Sequence, residues 1–375
     1  MNFGFDEDQK SLGHTVAQML ADFPALTAPD LARPTGDEAH RALAELGLFA
    51  LVTPEKFDGA GFAAVDIALA VEALGAGLAP LSATSTLIAI DLIAAHGAPA
   101  QQAAWLPRLA SGAAKAAIAV AEAGRGYDPE SAKTAIADGR LRGRKLLVAD
   151  AADADLLVVL ARGAKGPALM LVERNAASVS FSPHDDLDPS AGSCAITFDD
   201  IDCGDDSVID AAAPGPAVAR LVDVAATLHA GLLTGIAGRM LDTAVEYAKT
   251  REQFGQPIGA FQAIKHRCAD MAVAVENARS ATYYAFWAIS ENAPDRARAA
   301  SMAKACGGET ARMVCNETIQ VHGGMGFTWE LGLHRFLRRA KLIEHAFGDA
   351  GWHNERILAE TLAGMTDAER RRDAA

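Results

Sequence analysis

Between residues 113 and 210 the chain changes its period, and this limits its fold more than any motif does. "AAIAVAE", "KLLVAD", "DLLVVLAR", "ALMLVE", "SVSFSP" and "CAITFDDI" are short apolar or alternating runs bounded by Gly, Asp, Pro and Ser. That texture predicts β-strands. On either side the apolar residues recur at helical spacing instead. Leu12, Val16, Met19, Leu20 and Phe23 predict an amphipathic helix over 6–23, which Pro24 cannot continue. Thr35 stands three positions before Glu38, a capping-box spacing, and Gly47 stands where a left-handed C-terminal cap belongs. Further helical runs cover 64–76, 83–96 and 100–110. Past "AAAPGPA" the long periods return over 216–250, 261–291 and 295–320, with a shorter pair at 328–342 and 350–363. Helices, then strands, then longer helices predict an α+β multidomain protein rather than alternating βαβ units. The expected divisions are an N-terminal α-helical domain (1–112), a small middle β domain of barrel or sandwich type (113–212) and a C-terminal α-helical domain (213–375).

Bulk properties narrow the class. A chain of 375 residues, half of them apolar, can bury two or three cores. Its formal charge of -14 and pI near 5.2 argue against partners recognised through phosphate neutralisation, whether nucleic acid or an anionic membrane surface. Apolar stretches such as "STLIAIDLIAAHG" are broken by Asp91 and fall short of the roughly 20 residues of a membrane span. The start, "MNFGFDEDQK", lacks the basic-then-apolar order of a signal peptide, so the expected location is cytoplasmic. Five cysteines without a C-x-x-C pair suit free thiols, and ten histidines without H-x-x-x-H give no metal-binding pattern.

Two segments near the C-terminus suggest chemistry. In "QVHGGMGFTWE" the glycines let backbone N–H groups approach an anion, although a tight turn between helices explains them equally well. His322 within it reads as structural. "REQFGQPIGAFQAIKHRCADMA" puts Arg251 at the end of one long helix and Gln262 at the start of the next. With these two segments, and with "LVTPEKFDGAGFAAVDIALAVEALGAGLAP" and "HGAPAQQAAWLPRLASG" before them, the chain resembles the acyl-CoA dehydrogenase family over nearly its whole length. The resemblance implies a helical domain, a β domain and a C-terminal four-helix bundle, usually in a homotetramer. It also implies FAD, a carboxylate base that takes the α-proton of an acyl-CoA, hydride transfer to the flavin, and electrons passed to an electron-transfer flavoprotein. Arg251, Phe254, Gln262, Gln320, Gly323 and Gly324 match the residues that one protomer lends to the pyrophosphate and adenine side of its neighbour's FAD. Arginine suits that task because its planar fork pairs with phosphate oxygens.

Elsewhere the chain departs from the family pattern. Where a T-E-P-x-x-G-S-D-like segment is expected it has "AEAGRGYD", keeping Glu122. Where a W-I-[ST] segment is expected behind the flavin ring it has Leu147, Val148 and Ala149. The usual position of the catalytic Glu falls on Phe347, and the position used by other members falls on Ala225. A relocated base is then sought among Asp349, Glu344 and Asp223. Asp349 also suits a helix N-cap, and the other two suit ion pairs. Two functions remain open. One is an active FAD-dependent acyl-CoA dehydrogenase with a displaced base. The other is a non-catalytic subunit of an α2β2 heterotetramer, which lends its FAD-binding residues to a related partner. Small residues in "SATST" and "AATLHAGLLTG" either leave room for a bulky acyl group or let helices pack closely.

Overall fold

The computed structural model describes residues 4–28, 34–124 and 126–373, with only the backbone for 34–35, 205 and 366–373. Arg125, within "AEAGRGYD", lies outside the described residues. The N-terminal helices are α1 (Glu7–Ala21), α2 (Pro34–Glu45), α3 (Leu48–Val52), α4 (Ala68–Ala76), α5 (Leu81–His96) and α6 (Pro99–Ala110). Asp6 caps α1 by accepting from the Gln9 amide, and the Gln9 side chain returns the bond. Helix α2 begins at Pro34, so Thr35 lies inside its first turn instead of before it. Proline's fixed φ suits that first position. Gly47 is left-handed, with φ 89°.

The strands follow: β1 (Ala116–Ala119), β2 (Ala135–Ala137), β3 (Arg140–Val148), β4 (Leu156–Gly163), β5 (Gly166–Glu173), β6 (Val179–Pro183), β7 (Cys194–Asp202) and β8 (Val208–Ile209). Their order in the sheet is β6-β7-β3-β2-β4-β5-β8, with β1 parallel to β4. The run "LLVVLA" shows no polar alternation because both faces of β4 are covered. Leu156, Val158 and Leu160 join the helical core, while Leu157, Val159 and Ala161 join a separate β core. The sheet is thereby sealed against the helices.

The C-terminal part holds α7 (Pro214–Thr250), α8 (Gln262–Ser290), α9 (Arg296–His322), α10 (Leu333–His345) and α11 (Ala350–Asp373), with a small hairpin of β9 (Glu252–Gln253) and β10 (Gln256–Pro257) between α7 and α8. Among the described helices α7 alone is long and apolar enough to cross a membrane, and 94% of its apolar window is buried inside this fold. Its small residues allow close packing. A Cβ on Gly235 would stand 1.9 Å from the Glu72 carbonyl oxygen, and one on Gly75 would stand 2.1 Å from that of Leu232. Helices α4 and α7 therefore touch through their backbones.

Candidate functional site

Helix α10 ends at His345 and α11 begins at Ala350, and the link between them carries the position where a base is expected. Phe347 and Gly348 both have positive φ, 58° and 103°. The Phe347 ring lies 4.9 Å from the His229 ring and 5.2 Å from the Tyr127 ring, centroid to centroid. His229 comes from α7, one turn after Ala225, and its Nδ1–H donates to the Ala225 carbonyl at 2.7 Å. Burial, aided by the nearby Lys304 ammonium, pushes the His229 pKa down to about 3. Burial and the Asp186 carboxylate push the Tyr127 phenol well above its ordinary range. Three aromatic rings therefore close together over the expected base position.

The relocated-base candidates have other partners. Asp349 is exposed and accepts from the Trp352 amide at 2.9 Å, capping α11. Glu344 is buried and meets Arg312 at 3.0 Å and Lys341 at 3.3 Å. Asp223 is 1% exposed and binds Arg296 of α9 at 3.0 Å and Arg356 of α11. Each carboxylate is held by cations or by a helix end.

On the β side, Glu122 spends its carboxylate on protein donors. It accepts from Lys145 Nζ at 2.7 Å and from the amides of Lys133 and Thr134 at 2.8 and 2.9 Å. Burial favours its neutral form, but these donors outweigh that and hold its pKa near 2. The Glu122 and Gly126 backbones also bond reciprocally, closing "EAGRG" on itself. Leu147 has φ 53° and is half exposed, whereas Val148 is buried.

The far end of the helical bundle is different. Arg251, Phe254, Gln262, Gln320, Gly323 and Gly324 are all exposed, and all lie where α7 and α9 end and α8 begins. Phe254 and Gly255 have φ of 54° and 78°, the two left-handed residues of a tight hairpin turn. This turn leaves Phe254 94% exposed. Tyr247, in the last turn of α7, stacks on His322 at 4.1 Å, and His322 donates through Nδ1 to the Thr318 carbonyl at 2.8 Å. This stack ties the C-terminal end of α7 to that of α9. Gly323 takes φ 59° and ψ -135°, a conformation essentially confined to glycine.

The sequence is matched in three consecutive parts. Residues 6–113, 117–201 and 216–362 match the N-terminal, middle and C-terminal domains of acyl-CoA dehydrogenases. The chain belongs to the acyl-CoA dehydrogenase family. It is 31% identical to the probable acyl-CoA dehydrogenase YngJ of Bacillus subtilis, over 92% of this chain and 95% of that one. Its fold is similar to butyryl-CoA dehydrogenase from Megasphaera elsdenii, with a TM-score of 0.88, 25% identity, and coverage of 96% of this chain and 100% of that one. The ChsE4-ChsE5 complex from Mycobacterium tuberculosis contains a chain similar at TM-score 0.85 and 26% identity, covering 96% and 99%.

FAD is the cofactor of this family, and the two ends of the site suit it unequally. The exposed end offers a guanidinium, two amides and a glycine turn, which fit a phosphate-bearing ligand lying outside this chain. The inner end does not fit a polar ring system, since Glu122 is saturated, Leu147 and Val148 are aliphatic, and Tyr127 packs onto Phe347. A cavity of about 270 Å³ does lie between α5 and α7, lined by Leu87, Asp91, Val224 and Leu228, but Ala225, His229 and Phe347 do not line it. Tyr127, His229 and Lys304 escaped the sequence reading. The available signal was a lysine and a histidine inside alanine-rich helical runs, at spacing that belongs to the core.

Proposed function

We propose that this chain is the non-catalytic subunit of a heteromeric acyl-CoA dehydrogenase, lending Arg251, Phe254, Gln262, Gln320, Gly323 and Gly324 to the FAD of a related partner that carries the base. The observation that carries this reading is the Tyr127–Phe347–His229 cluster, which fills the base position with uncharged rings while the lending residues stay exposed. In this arrangement the Arg251 guanidinium neutralises phosphate charge, and Gly323 and Gly324 let the backbone come close to the cofactor. Bound FAD supplies the hydride acceptor, and the assembled α2β2 enzyme passes its electrons to an electron-transfer flavoprotein. Similarity to a chain of the ChsE4-ChsE5 complex supports the heteromeric form of the reading.

The test is flavin stoichiometry from the visible absorption spectrum. The expected result is a colourless protein when this chain is purified alone, and about one flavin per pair of chains when it is co-expressed with a related chain that has the catalytic Glu. About one flavin per chain in the protein alone, bleached by an acyl-CoA, would overturn the reading in favour of an active dehydrogenase with a displaced base.

A further inference from the structure

Lys304 is a lysine of α9 that is 1% exposed, and among the described residues its Nζ meets no carboxylate within ion-pair distance. It donates instead to two carbonyls, Glu344 at 2.8 Å and Gly348 at 2.9 Å. Glu344 lies in the last turn of α10, where carbonyls lack helical partners and the helix dipole favours a cation. The two acceptors bracket the link that carries Phe347. From the other side His353 of α11 donates through Nε2 to the Phe347 carbonyl at 3.1 Å, and its own amide donates to the Asp349 carbonyl at 3.0 Å. Every one of these bonds goes to main chain, so they fix the direction of side chain 347 whatever residue stands there.

We propose that Lys304 is the positioning residue for side chain 347: by holding the Glu344 and Gly348 carbonyls it keeps this link in its left-handed form and presses Phe347 onto His229 and Tyr127. This goes beyond the lending role and does not depend on it. Burial lowers the Lys304 pKa to about 7, outweighing the nearby Glu344 and Asp349 carboxylates, which act to raise it. The titratable groups that face it are Glu344 of α10, Asp349 of the link, His229 of α7 and His353 of α11. Both histidines are already neutral above pH 6, with pKa about 3.

Hydrogen–deuterium exchange of the full-length chain tests the proposal. In Lys304→Met the amides of 345–353 are expected to exchange about tenfold faster or more, as loss of two buried hydrogen bonds predicts, with β4 and β5 unchanged. Lys145→Met, which removes the other fully buried lysine, should leave 345–353 protected. Unchanged protection of 345–353 in Lys304→Met, or a loss spread evenly over the chain, would overturn the assignment. Should that variant not fold, the wild-type pH profile decides. Opening the link hydrates Lys304 and returns it to its ordinary range, so opening takes up a proton above pH 7. Intrinsic-rate-corrected protection of 345–353 should then rise with pH by up to about tenfold per unit, and a flat profile would refute the clamp.

Discussion

Phe347 lies 4.9 Å from His229, ring to ring, and His229 is itself anchored to the carbonyl of Ala225. The two positions at which a base is expected are thus joined through one imidazole, with neither carrying a carboxylate. An added carboxylate at 347 would face a neutral ring and the phenol of Tyr127.

From that follows the expectation for Phe347→Glu in the chain alone. With FAD added, acyl-CoA should still fail to bleach it, because Tyr127 still occupies the neighbouring space, and stability should fall by about 1–3 kcal/mol for a poorly partnered buried carboxylate. Anaerobic titration with acyl-CoA and a urea unfolding curve measure the two effects. Turnover restored by this single substitution would contradict the closed-site reading.

How far the sequence discloses this arrangement depends on the range of the interaction. The change of period at residue 113 marks the β section because strand and helix patterns are local. Asp349 can be read as a cap from Gly348 before it and the helical run after it, and the structure places it on the Trp352 amide. The small residues of α7 allowed either a roomy pocket or close packing, and only the approach of Glu72 to Gly235 decides for packing at that turn. Lys304, Lys145 and Arg339 are charges within otherwise apolar environments. Their partners lie 23 to 260 residues away in the chain, beyond any local pattern.

Arg339 joins all three parts of the molecule. From α10 it pairs with Asp188 of the β section, donates to Ser190, and reaches the Ala79 carbonyl at 2.8 Å in the N-terminal helices. Both partners of the pair are nearly sealed from water, at 3% and 1% side-chain exposure. Asp188→Ala strands a buried guanidinium and is expected to cost about 3–5 kcal/mol, whereas the double change Asp188→Leu/Arg339→Met should recover much of it. Urea midpoints of the three proteins measure this. Equal losses in the single and double variants would mean that the pair contributes packing rather than charge balance.

Acid should unfold the chain early. Burial holds His40, His229 and His353 neutral, each with a pKa lowered to about 3. In the unfolded chain they return to about 6.5. Between those values the unfolded state binds more protons, so stability falls as pH drops below about 6.5, by up to about 1.4 kcal/mol per pH unit for each histidine. His353→Gln keeps a donor for the Phe347 carbonyl but removes one titrating group. Its unfolding free energy between pH 6 and 5 should fall less steeply than that of the wild type, by up to about 1.4 kcal/mol per pH unit.

Arg251 separates lending from self-sufficiency. Its side chain is exposed and, among the described residues, makes no hydrogen bond or ion pair within the chain, so Arg251→Ala should leave the stability of the isolated chain unchanged to within about 0.5 kcal/mol. In the complex it removes a charged fork from a phosphate, worth about 1.5–3 kcal/mol, so flavin affinity should fall roughly ten- to a hundredfold. Arg251→Lys keeps the charge but not the paired N–H geometry and should fall between the two. Flavin released on dialysis of the three complexes measures the order. If all three retained flavin equally, the cofactor would not reach this end of the bundle. If instead the isolated wild-type chain held flavin and lost it with Arg251→Ala, copies of this chain would lend the residue to one another.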